Sequence, residues 1–189
     1  MRFLVLLGSL RRGSYNGLLA RAAAEVAPDG VELVEWRRLD EVPAFNADLE
    51  ESPPEAVRRL RAAVAEADAL LIVTPEYNAS LPGTLKNALD WLSRPFPGNV
   101  LWGKPSAVVG TTTGFLGGRC AHADGRRVLA RAGARPLEAG LSLPAARDRF
   151  DGDGRLVDDR ARAELGLVVE ALADEASANG DDADVRRAA

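Results

Sequence analysis

Residues 69–74 form a continuous apolar run, Ala69-Leu70-Leu71-Ile72-Val73-Thr74, between two helical patterns. A run that is apolar at every position is typical of a parallel strand covered by helices on both faces. The segment before it, residues 57–64, repeats apolar residues at helical spacing, and a similar segment follows Pro82. A buried strand between two helices indicates a βαβ unit, the building block of a parallel sheet.

The same alternation extends to both ends of the chain. Four further strands are predicted at residues 3–7, 31–34, 106–109 and 135–137. Helical patterns separate them, residues 36–52 form a long loop, and a last helix carries Leu165, Val168, Val169 and Leu172. We predict an α/β fold, a doubly wound five-stranded parallel sheet with helices on both faces. Its ligand site would lie beyond the carboxyl ends of the strands, where the strand order reverses.

Length and composition limit the domain count and the classes of partner. A chain of 189 residues has room for one domain, which we place at residues 1–173, before a polar, acidic tail at 174–189 that we expect to be disordered. The 24 Lys and Arg against 28 Asp and Glu give a net charge of −4, which disfavours nucleic acid and anionic membranes. No apolar run approaches the roughly 18 residues of a membrane span, so we expect a cytoplasmic protein.

Single cysteine and histidine residues restrict the chemistry further. Cys120 and His122 are the only residues of their types, so no intrachain disulfide and no multi-histidine or cysteine metal site can form within one chain. We expect Cys120 to be a buried thiol and His122 to lie at the surface. A serine hydrolase is disfavoured because there is no Gly-x-Ser-x-Gly elbow and His122 would be the only base.

The loop after the first strand, residues 8–16, is rich in hydroxyl, amide and guanidinium donors. It leads into a helix, whose N-terminus offers unpaired N–H groups and partial positive charge. Ser9 and Ser14 add hydroxyl donors, and Arg11 can pair with a phosphate. We interpret the loop as an anion site. The alternative is that Ser14 only caps the helix and the arginines are solvated.

Two well-known phosphate loops do not match this segment. Gly8 and Gly13 have the spacing of a Walker loop, but Ser14 and Tyr15 replace its lysine and Mg²⁺-binding hydroxyl. The dinucleotide fingerprint fails because Leu10 stands where a second glycine should be. A single terminal phosphate therefore fits better than a pyrophosphate.

Two more loops follow the central strands. Residues 75–80 combine Pro75, Tyr77 and Asn78, which suit the edge of a flat heterocycle. The alternative is that Tyr77 is a packing residue and Glu76 a solvated charge. Residues 110–118 are glycine-rich, so their N–H groups can close on the same ring.

Two long motifs now stand out: Gly8-Ser9-Leu10-Arg11-x-Gly13-Ser14-x-Asn16 and Pro75-Glu76-Tyr77-Asn78-x-Ser80-x-Pro82-Gly83-x-Leu85-Lys86-Asn87-Ala88-x-Asp90-Trp91. Over about residues 2–172 the chain resembles the NADPH-dependent FMN reductase family, the flavodoxin-like quinone, chromate and azo-dye reductases. The resemblance implies that one flavodoxin-like domain binds FMN. The cofactor-binding residues that it implies are Ser9, Arg11, Ser14, Tyr15, Asn16, Pro75, Glu76, Tyr77, Asn78 and Thr111.

The resemblance also implies an activity. Hydride would pass from NADPH or NADH through FMN to quinone, azo, metal-oxyanion or flavin acceptors, and no protein side chain need act as a catalyst because the flavin performs the chemistry. N–H groups of residues 111–114 would stabilise the reduced flavin. An electron carrier or a flavin-sensing protein without NADPH turnover is the alternative.

Relatives in this family are usually dimers or tetramers. We therefore expect a homodimer or homotetramer, with Trp91 exposed on its helix as an interface anchor. One departure bears on this expectation: relatives often place an arginine one residue after Arg119, where this chain has Cys120.

Overall fold

The computed structural model describes the backbone of residues 1–188 and the side chains of residues 1–178. The strands are β1 (Arg2–Leu7), β2 (Glu32–Trp36), β3 (Ala69–Val73), β4 (Pro105–Thr111), β5 (Arg135–Pro136) and β6 (Ser142–Leu143). The helices are α1 (Tyr15–Glu25), α2 (Glu55–Glu66), α3 (Gly83–Leu92), α4 (Arg119–Arg131) and α5 (Asp159–Ala188). No helix within this part of the chain is long and apolar enough to cross a membrane.

The strands form a parallel sheet in the order β2-β1-β3-β4-β5, and β6 also pairs with β4. This order confirms the predicted doubly wound, flavodoxin-like fold and puts the reversal of strand order between β1 and β3. The predicted fifth strand is interrupted. The chain leaves the sheet after Pro136 and returns at Ser142, beside the carboxyl end of β4.

Alternate residues of the central strands supply the two cores of the domain. Phe3 and Val5 of β1 pack with α1 and α5, whereas Leu4 and Leu6 pack with α2, α3 and α4. This alternation follows from the two-residue period of a strand. Burial on both faces explains why the central strands read as unbroken apolar runs.

Trp91 lies in the second core and is fully buried, so the expectation that it is an exposed interface anchor is wrong. Its ring packs edge-on against Phe45, with centroids 4.9 Å apart, and its Nε1 donates to the carbonyl of Pro43 at 2.8 Å. Both partners come from the long loop between β2 and α2. The tryptophan therefore anchors that loop and has no surface left for another subunit.

The last helix, α5, contains the four apolar residues predicted for it and extends beyond them. Asp158 caps it by accepting from the N–H of Ala161 at 2.9 Å. Beyond the predicted end of the domain at residue 173, Ala176 is buried and the hydroxyl of Ser177 donates to the carbonyl of Ala173. Over residues 174–178 the structure thus differs from the expected disordered tail. For the rest of that tail, the side chains from residue 179 on and all of residue 189 lie outside the described residues.

Candidate functional site

An open cavity of about 420 Å³ lies at the carboxyl edge of the sheet. Its size falls in the range of small-molecule and cofactor sites. It is lined by Ser9, Arg11, Ser14, Tyr15, Asn16, Pro75, Glu76, Tyr77, Thr111, Thr112, Thr113 and Arg147. The fold therefore brings together all the predicted site residues except Asn78, and adds Thr112, Thr113 and Arg147.

The β1–α1 loop forms the first wall. Ser9 and Ser14 are buried, and Ser14 caps α1 by accepting from the N–H of Asn16 at 3.2 Å. The hydroxyl proton of Ser14 stays available for a ligand, so the capping role and the anion-binding role are compatible. The side chain of Arg11 is exposed and makes no ion pair with any described residue. This wall therefore offers an anion two binding groups, the unpaired guanidinium of Arg11 and a helix N-terminus.

Asn16 connects this wall to β4. Its Nδ2 donates to the carbonyl of Thr111 at 2.9 Å, and its Oδ1 accepts from the N–H of Thr111 at 3.0 Å. Both bonds are buried. The amide of Asn16 is thereby committed to the protein backbone, and its role at the cavity is to position the two loops.

The β3–α3 loop forms the second wall, in which Pro75 is buried and Tyr77 is 51% exposed. Tyr77 and Ser80 exchange two backbone hydrogen bonds of 3.1 Å, which close a tight turn. At its tip Asn78 and Ala79 both have positive φ, 51° and 57°. A turn with two central residues in this region favours asparagine. Asn78 thus shapes the turn and does not line the cavity.

The carboxylate of Glu76 links the same loop to α4. It accepts from the N–H of Cys120 at 2.8 Å and from that of Ala121 at 3.2 Å. Ser80 adds a second link, donating to Asp124 at 2.6 Å. A carboxylate at a helix N-terminus satisfies unpaired N–H groups and interacts favourably with the positive end of the helix dipole. Glu76 is therefore neither a solvated charge nor free to contact a ligand through this oxygen.

Residues 111–114 form the third wall, and only part of it can donate to a ligand. The N–H of Thr111 binds Asn16, and that of Thr112 binds the carbonyl of Leu143 at 3.1 Å. The hydroxyl of Thr111 also donates to Leu143, at 2.8 Å. Of the expected N–H donors, those of Thr113 and Gly114 have no partner among the described residues. Hydrogen bonding to a flavin from this segment would have to come from these two.

Arg147 is a cavity residue that sequence reasoning missed. It lies in a short 3₁₀ helix, Ala146–Asp148, directly after β6. The N–H of Ala146 donates to the carbonyl of Thr112 at 3.0 Å, which fixes this helix beside the third wall. Arg147 is exposed and has no ion-pair partner in the described part of the chain. It brings a second unpaired guanidinium to the cavity, besides Arg11.

The expectations that Cys120 is buried and that His122 lies at the surface are both wrong. Cys120 is exposed at the start of α4, while His122 is 4% exposed and packs against the backbone at Gly110 and Gly118. Burial, reinforced by the nearby charge of Arg126, lowers the pKa of His122 to about 4, although Glu76 acts in the opposite direction. The imidazole is therefore neutral at pH 7.

Comparison with known proteins agrees with this architecture. The model of the NADPH-dependent FMN reductase family matches residues 1–148. A 2-hydroxy-1,4-benzoquinone reductase from Burkholderia sp is 37% identical over 174 residues, covering 92% of this chain and 94% of the relative. An NAD(P)H-dependent FMN reductase from Pseudomonas aeruginosa is 38% identical, covering 91% of this chain and 93% of the relative.

A solved structure also superposes closely. The flavoenzyme NAD(P)H:(acceptor) oxidoreductase FerB from Paracoccus denitrificans matches with a TM-score of 0.85 and 32% sequence identity. The match covers 94% of this chain and 98% of FerB. Sequence and structure therefore point to the same group of flavoenzymes.

Proposed function

This chain belongs to the NADPH-dependent FMN reductase family, and from this premise we propose how its cavity serves an FMN-dependent oxidoreductase. The protein is an NAD(P)H-dependent FMN oxidoreductase. When bound, FMN would supply the redox chemistry, hydride transfer from the nicotinamide and electron transfer to the acceptor. The observation that carries the site proposal is the meeting of three loops around one cavity.

The first wall fits the phosphate end of FMN. Ser9, Ser14 and the unpaired Arg11 would donate to it, together with N–H groups at the start of α1. Free N–H groups of the loop, at Leu10, Arg12 and Gly13, support this assignment because no described residue satisfies them. This donor set supports a single phosphate group as the ligand of the loop.

The second and third walls fit the ring of FMN. Pro75 and Tyr77 would flank it on one side, and the N–H groups of Thr113 and Gly114 would face it on the other. Arg147 would add a positive charge where the reduced ring becomes negative. In this assignment Asn16, Glu76 and the backbone of Thr111 hold the walls in place.

We propose quinones as the first acceptor class to test. Relatives with 37–43% identity carry the names 2-hydroxy-1,4-benzoquinone reductase and quinone reductase. The cavity is open, and its exposed Tyr77 offers a flat apolar surface to an aromatic acceptor. Azo compounds, metal oxyanions and free flavin are the other acceptors to compare.

An anaerobic titration tests the activity. Purified protein loaded with FMN is mixed with NADPH or with NADH, and the absorbance of the oxidised flavin is followed. We expect bleaching within the mixing time or over seconds, and recovery when a benzoquinone is added. A flavin that stays yellow with both nucleotides would support the electron-carrier alternative. Comparing the two nucleotides also measures the preference between them.

We further propose that the protein is a cytoplasmic homodimer or homotetramer. With Trp91 in the core, the support comes from other side chains. Phe96 and Trp102 are 54% and 60% exposed and touch edge to face, and Phe115 is 98% exposed. Exposed aromatic residues are typical of protein interfaces. Light scattering at micromolar concentration tests this, and a particle of 20.1 kDa would contradict it.

A further inference from the structure

A second, smaller cavity of about 240 Å³ lies between α4 and the chain segment that separates β5 from β6. It is lined by Arg119, His122, Arg126, Glu138, Gly140 and Ser142. None of these residues lines the larger cavity, so the two are separate sites.

Positive charge is concentrated at this cavity. Arg126 is half-buried, and its Nη1 lies 3.8 Å from the position that a Cβ on Gly140 would occupy. Neither Arg126 nor Arg119 has a side-chain partner among the described residues, whereas the adjacent Arg127 pairs with Asp124 at 2.7 Å. The exposed Glu138 offsets one of the two charges. The lining therefore keeps a net positive charge.

Two neutral polar groups complete the lining. His122 is buried, and its Nε2 has no hydrogen-bond partner in the described part of the chain. A buried polar atom without a partner is costly, and a bound ion is one explanation for it. The hydroxyl of Ser142 donates to the carbonyl of Gly117 at 2.8 Å, so its proton is committed and the donors for an anion come from the two guanidinium groups.

We propose that this cavity binds a small inorganic oxyanion with the size and charge of sulfate or phosphate. Guanidinium groups bind oxyanions through paired N–H donors, and a half-buried guanidinium gains most from such a partner. The volume lies below the range of about 300–1,000 Å³ that organic ligands occupy, which favours a compact ion. This inference does not depend on the proposed activity.

Binding there has a structural consequence for the neighbouring loop. The anion would join α4, through Arg126, to the segment before β6. Ser142, the first residue of β6, donates to Gly117, so the bound anion would also steady the end of the glycine-rich loop. The site would thus act on residues 112–118, of which Thr112 and Thr113 line the larger cavity.

Calorimetric titration of the FMN-loaded protein with sodium sulfate tests the proposal, with chloride keeping the ionic strength constant. Loading with FMN fills the phosphate loop, so it cannot take up the sulfate. We expect saturable binding of one sulfate per chain. Arg126→Gln should weaken it by about tenfold or more, because a charge-assisted hydrogen bond is lost. Arg119→Gln should weaken it less, and Arg127→Gln, the matched control, should not change it.

A second measurement locates the ion without relying on stability or activity. His122 is the only histidine in the chain, so its imidazole proton signals in an NMR spectrum are unambiguous. Sulfate should shift them in the wild type and in Arg127→Gln, with a midpoint equal to the calorimetric one. Three results would overturn the proposal. They are a titration that does not saturate, equal sulfate affinity in Arg126→Gln and Arg127→Gln, and histidine signals that do not move when sulfate is added.

Discussion

Asn16 and Thr111 are joined by two buried hydrogen bonds that cross 95 positions of the sequence, one donated and one accepted by the same amide side chain. This pair connects the start of α1 to the end of β4. It holds the wall that carries the proposed phosphate site against the wall that would face the flavin ring. One side chain therefore links these two halves of the cavity directly, in addition to the sheet that carries them.

Removing that side chain should lower stability. In Asn16→Ala, both the N–H and the carbonyl of Thr111 lose their partner in a buried place, and we expect a loss of about 2–4 kcal/mol in the free energy of unfolding. Denaturant unfolding measures it. Asn46→Ala is the control, because Asn46 caps an exposed 3₁₀ turn, and its loss should cost no more than about 1 kcal/mol. An equal loss in the free energy of unfolding in both variants would show that the Asn16–Thr111 pair stabilises the protein no more than an exposed cap.

Loss of the proposed phosphate ligands should weaken FMN binding. The double variant Ser9→Ala with Arg11→Ala removes a hydroxyl and a charge, and we expect a roughly 10- to 100-fold higher Kd for FMN. Arg12→Ala is the matched control, since it keeps the backbone N–H and removes a side chain of the same loop that does not line the larger cavity. Fluorescence titration of the apoprotein gives the values. Wild-type affinity in the double variant would place the phosphate elsewhere.

Tyr77 should affect turnover more than flavin retention. Its ring is half-exposed and makes no side-chain hydrogen bond with the described residues, so Tyr77→Ala should keep its FMN. Loss of an aromatic contact of about 0.5–1.5 kcal/mol should lower kcat/KM for a quinone several-fold. Tyr77→Phe keeps the ring and should behave as the wild type. An FMN-free Tyr77→Ala protein would instead make Tyr77 an anchor of the flavin.

Glu76 should act through α4. Glu76→Ala leaves the N–H groups of Cys120 and Ala121 without their acceptor, and we expect a loss of about 1–2 kcal/mol in stability. Glu76→Gln keeps an oxygen there and should recover part of the loss, without the charge interaction with the helix. Thermal unfolding of both variants, with FMN content measured in parallel, tests this. Loss of FMN from Glu76→Gln at unchanged stability would point to a direct contact instead.

His122 should make stability fall in mild acid. The folded protein keeps the imidazole neutral down to about pH 4, whereas the unfolded chain takes up a proton below about pH 6.5. The stabilisation is thus complete above pH 6.5 and is lost as the pH falls towards 4. The free energy of unfolding should fall by about 3 kcal/mol in total across this pH range because of His122. In His122→Gln the unfolding free energy should depend less steeply on pH in this window. An unchanged slope, or a histidine NMR titration near pH 6.5, would contradict this.

The sheet and the cavity walls could be predicted because their signals are strong. Fully buried parallel strands such as Ala69–Val73 leave long apolar runs, and the strand-order rule then shows which loops meet. β6 has only two residues, Ser142 and Leu143, and leaves no such run. Arg147, which follows β6, could not be placed at the cavity for the same reason.

Single side chains were predicted less well than the elements that carry them. Trp91 is buried because the aperiodic loop at residues 36–52 folds over α3, and nothing in the helical spacing shows that cover. His122 is buried because Gly110 and Gly118 let the imidazole approach their backbone closely, which is a tertiary contact. The roles of Asn16 and Glu76 in holding loops together likewise depend on partners distant in sequence.

Gly110 and Gly114 lie four residues apart and differ sharply in the freedom they leave to mutation. A Cβ on Gly110 would lie 2.0 Å from the carbonyl oxygen of Thr74 and 2.7 Å from Nε2 of His122, so no other residue fits there. A Cβ on Gly114 would meet no atom within 4 Å apart from its chain neighbours, and Thr113, Phe115 and Leu116 are exposed. A library meant to change acceptor preference should therefore be randomised at residues 113–116 and should keep the glycine at position 110.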